Sequence, residues 1–393
     1  MSIASLMPVY PRCPVEPVRG EGSYLFDESG RRWLDFASGI AVNTLGHGDP
    51  RLVEAIAEQA RRLIHVSNLY GSPQQRKVAD RLVELTFADT VFFTNSGAES
   101  VECAIKLCRR YHSAQGRSRP RILTFSQSFH GRTLGTIAAA GQDKLTAGFE
   151  PLLPGFTSVP LNDREAVIAA LADDVGAILV EPVQGEGGIR PLDPWFARFL
   201  RALCDEQDML LAFDEVQSGI GRTGTLFAYE QLGIVPDVLA SAKGLGGGFP
   251  VGACLASEKA ARGMTFGTHG STYGGNPLAM AAVDAVLNVV ADPVFLATVQ
   301  QRGDSLRGEL EDLVKRFPSQ YRGVRGMGLM LGLQTHGDSR AFVSHLRDHG
   351  LLTVAAGDNI VRILPPLTVT TDEIAEAVDG LARAAITFGR KAA

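Results

Sequence analysis

Between residues 90 and 257 one pattern recurs six times: four or five mostly apolar residues, then a polar or glycine-rich turn, then in most cases a stretch of helical periodicity. The runs are TVFFT (90–94), RILTF (121–125), AILVE (177–181), LLAFD (210–214), VLASA (238–242) and ACLAS (253–257). Runs this apolar leave no face for water, so both faces of the sheet they form must be covered. The stretches AESVECAIKLCRRYH, DREAVIAALAD, PWFARFLRALCDEQ and PLAMAAVDAVLNVV supply that cover. The expectation is an α/β fold whose mostly parallel sheet is flanked by helices. The chain has 393 residues, beyond the size at which one core stops growing. Its ends read differently. GSYLFDESGRRWLDFASG reads as a hairpin, and RGMGLMLGL and NIVRILPPL read as strands separated by the helical RAFVSHLRDHG. The two ends are expected to meet in a small α+β domain, with residues 1–45 and 296–393 in that domain and 46–295 in the large one.

Composition narrows the function classes. A net charge of −5 gives no reason to expect nucleic acid or an anionic membrane as partner, so an anionic small molecule would need a local cationic pocket. The five cysteines are scattered, with no C-x-x-C pair, which argues against a disulfide framework or a metal site and fits a reducing cytoplasm. MSIASLMPVYPRCPVEP carries neither a basic nor an apolar leader region, and no run of about 18 apolar residues occurs, so secretion and membrane spanning are not expected.

In open α/β sheets ligands bind beyond the carboxyl ends of the strands, and those positions carry chemistry here. After TVFFT, Ser96 with Glu99 three residues on forms a capping box, leaving the amides of Gly97 and Ala98 free to cradle an anion at a helix N-terminus. Alone, that is more often an ordinary cap. Asp214 closes LLAFD, where a carboxylate leaving an apolar strand must find water or a cation. Downstream, GIGRTG (219–224) matches G-x-G-x-x-G. A dinucleotide site does not follow, because Asp214 and Glu215 stand where pyrophosphate would lie and repulsion at ~4 Å would cost roughly 4 kcal/mol. Lys243 ends VLASA and is followed by GLGGGF, which lets another group approach closely. A lysine at a strand end usually points into water; one rooted in such a loop is partly desolvated, with its pKa lowered toward a usable nucleophile. A phosphate cradle, a carboxylate for a ring nitrogen and a Schiff-base lysine, in order at strand ends, describe a pyridoxal 5'-phosphate site.

TNSGAES, SFHGRT, VEPVQGEGG, FDEVQSGIGRTG, KGLGGGFPVGA and GSTYGGNPLA resemble the class III, or ω-amino acid, aminotransferases of PLP fold type I, over nearly the whole chain. LDFASGIAVNTLGHGDP and HVSNLY look most like the branch that acts on N-acetylornithine. The resemblance implies that Lys243 carries the cofactor and moves the proton, that Asp214 pairs with the ring nitrogen, that Gln217 bonds the ring hydroxyl and that Phe129 stacks on the ring. It places Ser96, Glu215 and Val216 around the cofactor with these. Gly97 and Ala98 would bind the phosphate, completed by Thr272 from a neighbouring subunit, which implies a homodimer.

The substrates implied are an amino acid and a 2-oxo acid. Glutamate reacts beside its α-carboxylate, whereas N-acetylornithine reacts at its terminal amine, far from its carboxylate. Two carboxylate forks at different distances are needed, and arginine suits each. Arg132 would hold the distal carboxylate and Arg362 the α-carboxylate of glutamate, with Glu186 pairing Arg362 when the terminal amine is bound. Ser271 is a further candidate for touching the acetylornithine end. Alternatives of the same fold are ornithine, succinylornithine, succinyl-diaminopimelate or 4-aminobutyrate aminotransferases, or an aminomutase. A dinucleotide-dependent oxidoreductase or a silent binding module would contain no visible-edge chromophore.

Overall fold

The computed structural model describes residues 5–391; residues 1–4, 392 and 393, at the ends of the two terminal segments, lie outside it. At its centre is a seven-stranded sheet. In spatial order its strands are Thr90–Thr94, Gly252–Ala256, Val238–Ser241, Leu210–Asp214, Val175–Val180, Arg121–Phe125 and Phe156–Val159. Gly252–Ala256 runs antiparallel to both of its neighbours, and the remaining pairings are parallel. Six strands therefore present their carboxyl ends on one edge. All six runs anticipated from the sequence form strands within two residues of their expected bounds.

The strand Leu210–Asp214 is buried along its whole length, as are Val175–Val180 and Val238–Ser241. The cover comes from helices. Gly97–Ser113 packs on one face through Val101, Cys103, Ala104, Ile105, Leu107 and Cys108, and Pro194–Glu206 and Pro277–Val290 bury Phe196, Leu200, Val283 and Leu287 in the other core cluster. Near-complete burial of large aliphatic side chains, each contributing roughly 1.5–3 kcal/mol, holds this layer arrangement together.

Both ends add smaller sheets. Arg19–Glu21, Tyr24–Phe26 and Arg32–Asp35 form an antiparallel meander, and Leu351–Leu352 joins Arg32–Asp35 in parallel, so the two ends of the chain share one sheet. A second sheet, in the order Tyr321–Met327, Met330–Thr335, Ile360–Ile363, Val354–Ala356, packs against helices Pro293–Arg316 and Ser339–Asp348, which Thr371–Lys391 covers in turn. RGMGLMLGL is thus not one strand. It turns back at Gly328, whose φ of 52° and close approach to Thr223 only glycine accommodates. Among the described residues no single helix is long and apolar enough to cross a membrane.

Candidate active site

The anion cradle begins where Thr90–Thr94 ends. Ser96 caps Gly97–Ser113, its Oγ accepting from the amide of Glu99 at 3.2 Å. The expected capping box is displaced by one residue: the Glu99 carboxylate accepts from the backbone and side-chain nitrogens of Asn95, at 2.6 and 2.9 Å, not from the Ser96 amide. Gly97 and Ala98 occupy the first helical positions, whose amides have no intrahelical acceptor. A Cβ on Gly97 would lie 2.6 Å from Val216 Cγ1, so only glycine lets the helix start close on the strand end that carries Asp214.

Asp214 is 5% exposed. Its Oδ2 lies 2.8 Å from His130 Nδ1, and its Oδ1 accepts from the Val216 amide at 3.0 Å. Burial works against a charged His130, but the hydrogen bond and charge of Asp214, with Glu181 behind it, outweigh burial and raise the imidazole's pKa. Glu181, at the strand end beside Asp214, accepts from the Phe129 amide at 3.0 Å. Burial pushes its carboxyl up to about 8, against the pull of His130 and Lys243. His130 and Glu181 were not anticipated from the sequence. Glu181 was within reach of the rule that polar residues at strand ends matter; His130, five residues past its strand, carried no such signal beyond its place in SFHGRT.

Lys243 has a φ of 46° and opens a single 3-10 turn, Lys243–Gly246. Burial lowers its ammonium to about 8. Arg362 adds to the lowering, and Glu186, Asp214 and Glu181 oppose it. Four charged groups, Arg362, Glu186, Asp214 and Glu181, therefore lie within electrostatic reach of Lys243, although only Glu181 and Glu186 are near one another in the sequence.

Arg362, on Ile360–Ile363, is 1% exposed and donates from Nη1 to Glu186 Oε1 at 2.5 Å and from Nη2 to the Ala355 carbonyl at 3.3 Å. The Glu186 side chain remains 32% exposed. Its loop runs close to Gln217: a Cβ on Gly185 would lie 2.1 Å from Gln217 Oε1. Arg132 is exposed, its guanidinium 5.7 Å from the centre of the Phe129 ring.

Two expectations are altered by the geometry, those for Glu215 and Ser271. Glu215 is fully buried, and its carboxylate accepts from Ser218 Oγ and from the amides of Ala228 and Tyr229 at 3.0, 2.7 and 2.8 Å. It holds the loop 215–229, and burial pushes its carboxyl up to about 7, so it is no free charge facing a ligand. The glycines of GIGRTG fill packing contacts there, Gly221 against Leu367 and Val290. Ser271 Oγ accepts from the Gly274 amide at 2.9 Å and from Asn95 Nδ2 at 3.3 Å, so it is engaged within its own turn. Thr272 next to it is exposed, lining a cavity of about 310 Å³ with Asn95 and Glu99.

A family model for class III aminotransferases matches residues 8–385. The chain belongs to the class III aminotransferases. It is 55% identical over 381 residues to an acetylornithine aminotransferase of Agrobacterium fabrum, covering 97% of this chain and 95% of that one. The crystal structure of an N-acetylornithine aminotransferase from Stenotrophomonas maltophilia superposes with a TM-score of 0.86 at 40% identity, covering 97% of this chain and 98% of that one. An amine transaminase from an uncultivated Pseudomonas species, solved in PLP-bound form, gives a TM-score of 0.90 at 28% identity, covering 98% and 99%. Aminotransferases of this class use pyridoxal 5'-phosphate. The residues here fit that group: free amides at Gly97 and Ala98 suit its phosphate, buried Asp214 suits a protonated ring nitrogen, and Gln217 Oε1, buried without a hydrogen-bond partner, suits a ring hydroxyl.

Proposed function

We propose that this class III aminotransferase moves the terminal amino group of N2-acetyl-L-ornithine to 2-oxoglutarate, giving N-acetylglutamate 5-semialdehyde and L-glutamate, a step of arginine biosynthesis. The relatives named acetylornithine aminotransferase support the substrate. The observation that carries the reading is the ion pair between Arg362 and Glu186 at 2.5 Å, on a guanidinium 1% exposed, within the electrostatic reach of Lys243. A paired Arg362 leaves the site neutral there for a terminal amine. A freed Arg362 takes the α-carboxylate of glutamate in bidentate fashion.

When bound, pyridoxal 5'-phosphate supplies an aldehyde that condenses with an amine and a pyridinium ring that takes up the electron pair left when a C–H proton departs. The chain does the rest. Lys243, lowered to about 8, is about one-tenth neutral at pH 7, enough to accept a proton at Nζ and return it. Asp214 would hold positive charge on the ring nitrogen, and His130 fixes the orientation of the Asp214 carboxylate. Burial raises the carboxyl of Glu181, the second acid packed against Asp214 and His130. Val216 and Phe129 would flank the ring, Gln217 would meet its hydroxyl, and Gly97 and Ala98 would bind the phosphate. Arg132, exposed at the mouth, takes the distal carboxylate.

A second copy of the chain completes the site with Thr272. Supporting this, the Thr272 loop adjoins a patch of exposed apolar side chains, with Leu69 86% and Tyr273 60% exposed. Asn68 ties the two segments together by bonding the Ser271 and Gly274 carbonyls at 3.0 Å each.

All five cysteines are free, four of them buried, which supports a reducing cytoplasm. We take residues 46–295 as the cofactor-binding unit, and 1–45 with 296–393 as the unit that carries Arg362 to it. The test is a single-turnover panel of amino donors, read by loss of the bound cofactor's absorbance. N-acetylornithine and glutamate should both react, ahead of ornithine and 4-aminobutyrate. A faster reaction with unacylated ornithine or 4-aminobutyrate would overturn the assignment.

A further inference from the structure

Residues 38 to 41 adopt a turn that L-amino acids avoid. Ser38, Gly39, Ile40 and Ala41 have φ values of 47°, 64°, 66° and 63°. Four consecutive residues lie in the left-handed region, where glycine alone is at ease and the β-branched Ile40 is the most disfavoured. Such a run persists only where its surroundings over-determine it. Ser38 is a second anomaly: it is fully buried, and its hydroxyl has no hydrogen-bond partner.

One carboxylate clamps this turn. Asp35 is 3% exposed; its Oδ1 accepts from the amides of Ala37 and Ser38, at 3.0 Å each, and its Oδ2 lies 2.8 Å from His47 Nε2. His47 is fixed in turn by paired backbone hydrogen bonds with Gly22, at 2.9 and 2.8 Å. The turn touches both halves of the candidate site. Ala41 packs with Val183, Ile189, Ile360 and Leu364, which flank Glu186 and Arg362 in the chain. The Leu364 amide donates to the Phe36 carbonyl at 2.7 Å, and Thr44 Oγ1 donates at 3.0 Å to the carbonyl of Gly244, the residue after Lys243.

We propose that Asp35 is a positioning residue: joined to His47, it holds the left-handed turn 38–41 in place and thereby sets the register between Lys243 and the Glu186–Arg362 pair. This rests on the functional reading above. Removing the clamp lets the turn relax toward ordinary dihedrals, which moves the Leu364 and Gly244 attachments without touching the phosphate cradle.

The test compares holoenzymes of wild type, Asp35→Asn, Asp35→Ala and Asp35→Ala with Ser38→Gly. Asp35→Ala should keep the absorbance of the bound cofactor, raise the KM for glutamate by about tenfold, as expected for losing a charge-assisted hydrogen bond, and speed hydrogen exchange of the Val42 and Asn43 amides. Both of those amides donate to the Ser38 carbonyl, at 2.8 and 2.9 Å. Asp35→Asn keeps an acceptor for the two amides and should recover most of the loss. Ser38→Gly should restore part of it in the Asp35→Ala background, because glycine adopts the left-handed conformation without penalty. Should Asp35→Ala fail to fold, His47→Gln carries the same expectation in KM and exchange. Wild-type exchange or wild-type KM in the clamp variant, or no gain from Ser38→Gly, overturns the proposal. Wild-type enzyme inert toward both donors would instead overturn the functional reading, and the exchange data would still decide the clamp.

Discussion

Replacing Glu186 by alanine separates the two half-reactions. The Glu186 carboxylate and the Arg362 guanidinium touch at 2.5 Å, with Arg362 1% and the Glu186 side chain 32% exposed. With charge centres ~4 Å apart, the attraction is about 4 kcal/mol at an effective dielectric of 20 and about 1 kcal/mol in water. Partial exposure of Glu186 puts the pair between these limits, at about 2 kcal/mol, or about thirtyfold in rate. In Glu186→Ala, Arg362 is open whichever donor is present. The glutamate half-reaction should be preserved or faster, since the substrate carboxylate no longer competes with Glu186. The N-acetylornithine half-reaction should slow by about thirtyfold, because an unpaired buried guanidinium then faces a substrate end with no carboxylate to offer. Arg362→Ala should do the reverse. The assay is stopped-flow absorbance of the bound cofactor with each donor separately. Equal losses for both donors in both variants would show that the pair only supports the fold.

Other outcomes follow from the same geometry. Asp214→Asn should retain cofactor but lose most of the single-turnover rate, because the ring nitrogen loses its counter-charge; a wild-type rate would remove Asp214 from that role. The reaction of apoprotein with pyridoxal phosphate should rise about tenfold per pH unit below about pH 8 and level off above it, since only neutral Lys243 attacks and its pKa is lowered to about 8. Arg362→Ala removes a charge that lowers the Lys243 pKa, so its plateau should move to higher pH; a rate still climbing through pH 10 in wild type would contradict the burial of Lys243. Thr272→Ala should weaken cofactor retention in a dimer that stays intact by sedimentation, and an active monomer would refute the shared site.

The central strands were legible because their apolar runs leave no alternative to burial on both faces. Phe156–Val159 was missed: at the sheet edge it is only partly buried, and FTSV reads as no more than a loop. The reversed direction of Gly252–Ala256 has no local signature, since pairing direction is set by the connections around a strand. Ser96, Gly97, Asp214 and Lys243 were readable from their places at strand ends. The Glu186–Arg362 pair spans 176 residues and was visible only through motif resemblance. Glu215 misled because a carboxylate next to Asp214 reads as a site residue, while the amides that claim it, Ala228 and Tyr229, lie in a turn that no periodicity marks. The left-handed turn at Ser38–Ala41 is likewise invisible in composition, since three of its four residues are types that rarely adopt it.

The most direct measurement follows nitrogen. Enzyme with N2-acetyl-L-ornithine carrying 15N at its terminal amine and with 2-oxoglutarate should yield 15N-labelled L-glutamate and unlabelled N-acetylglutamate 5-semialdehyde in equal amounts by NMR and mass spectrometry. Label retained in the ornithine derivative, with glutamate formed only when ornithine, 4-aminobutyrate or succinyl-diaminopimelate is supplied instead, would contradict the proposed reaction.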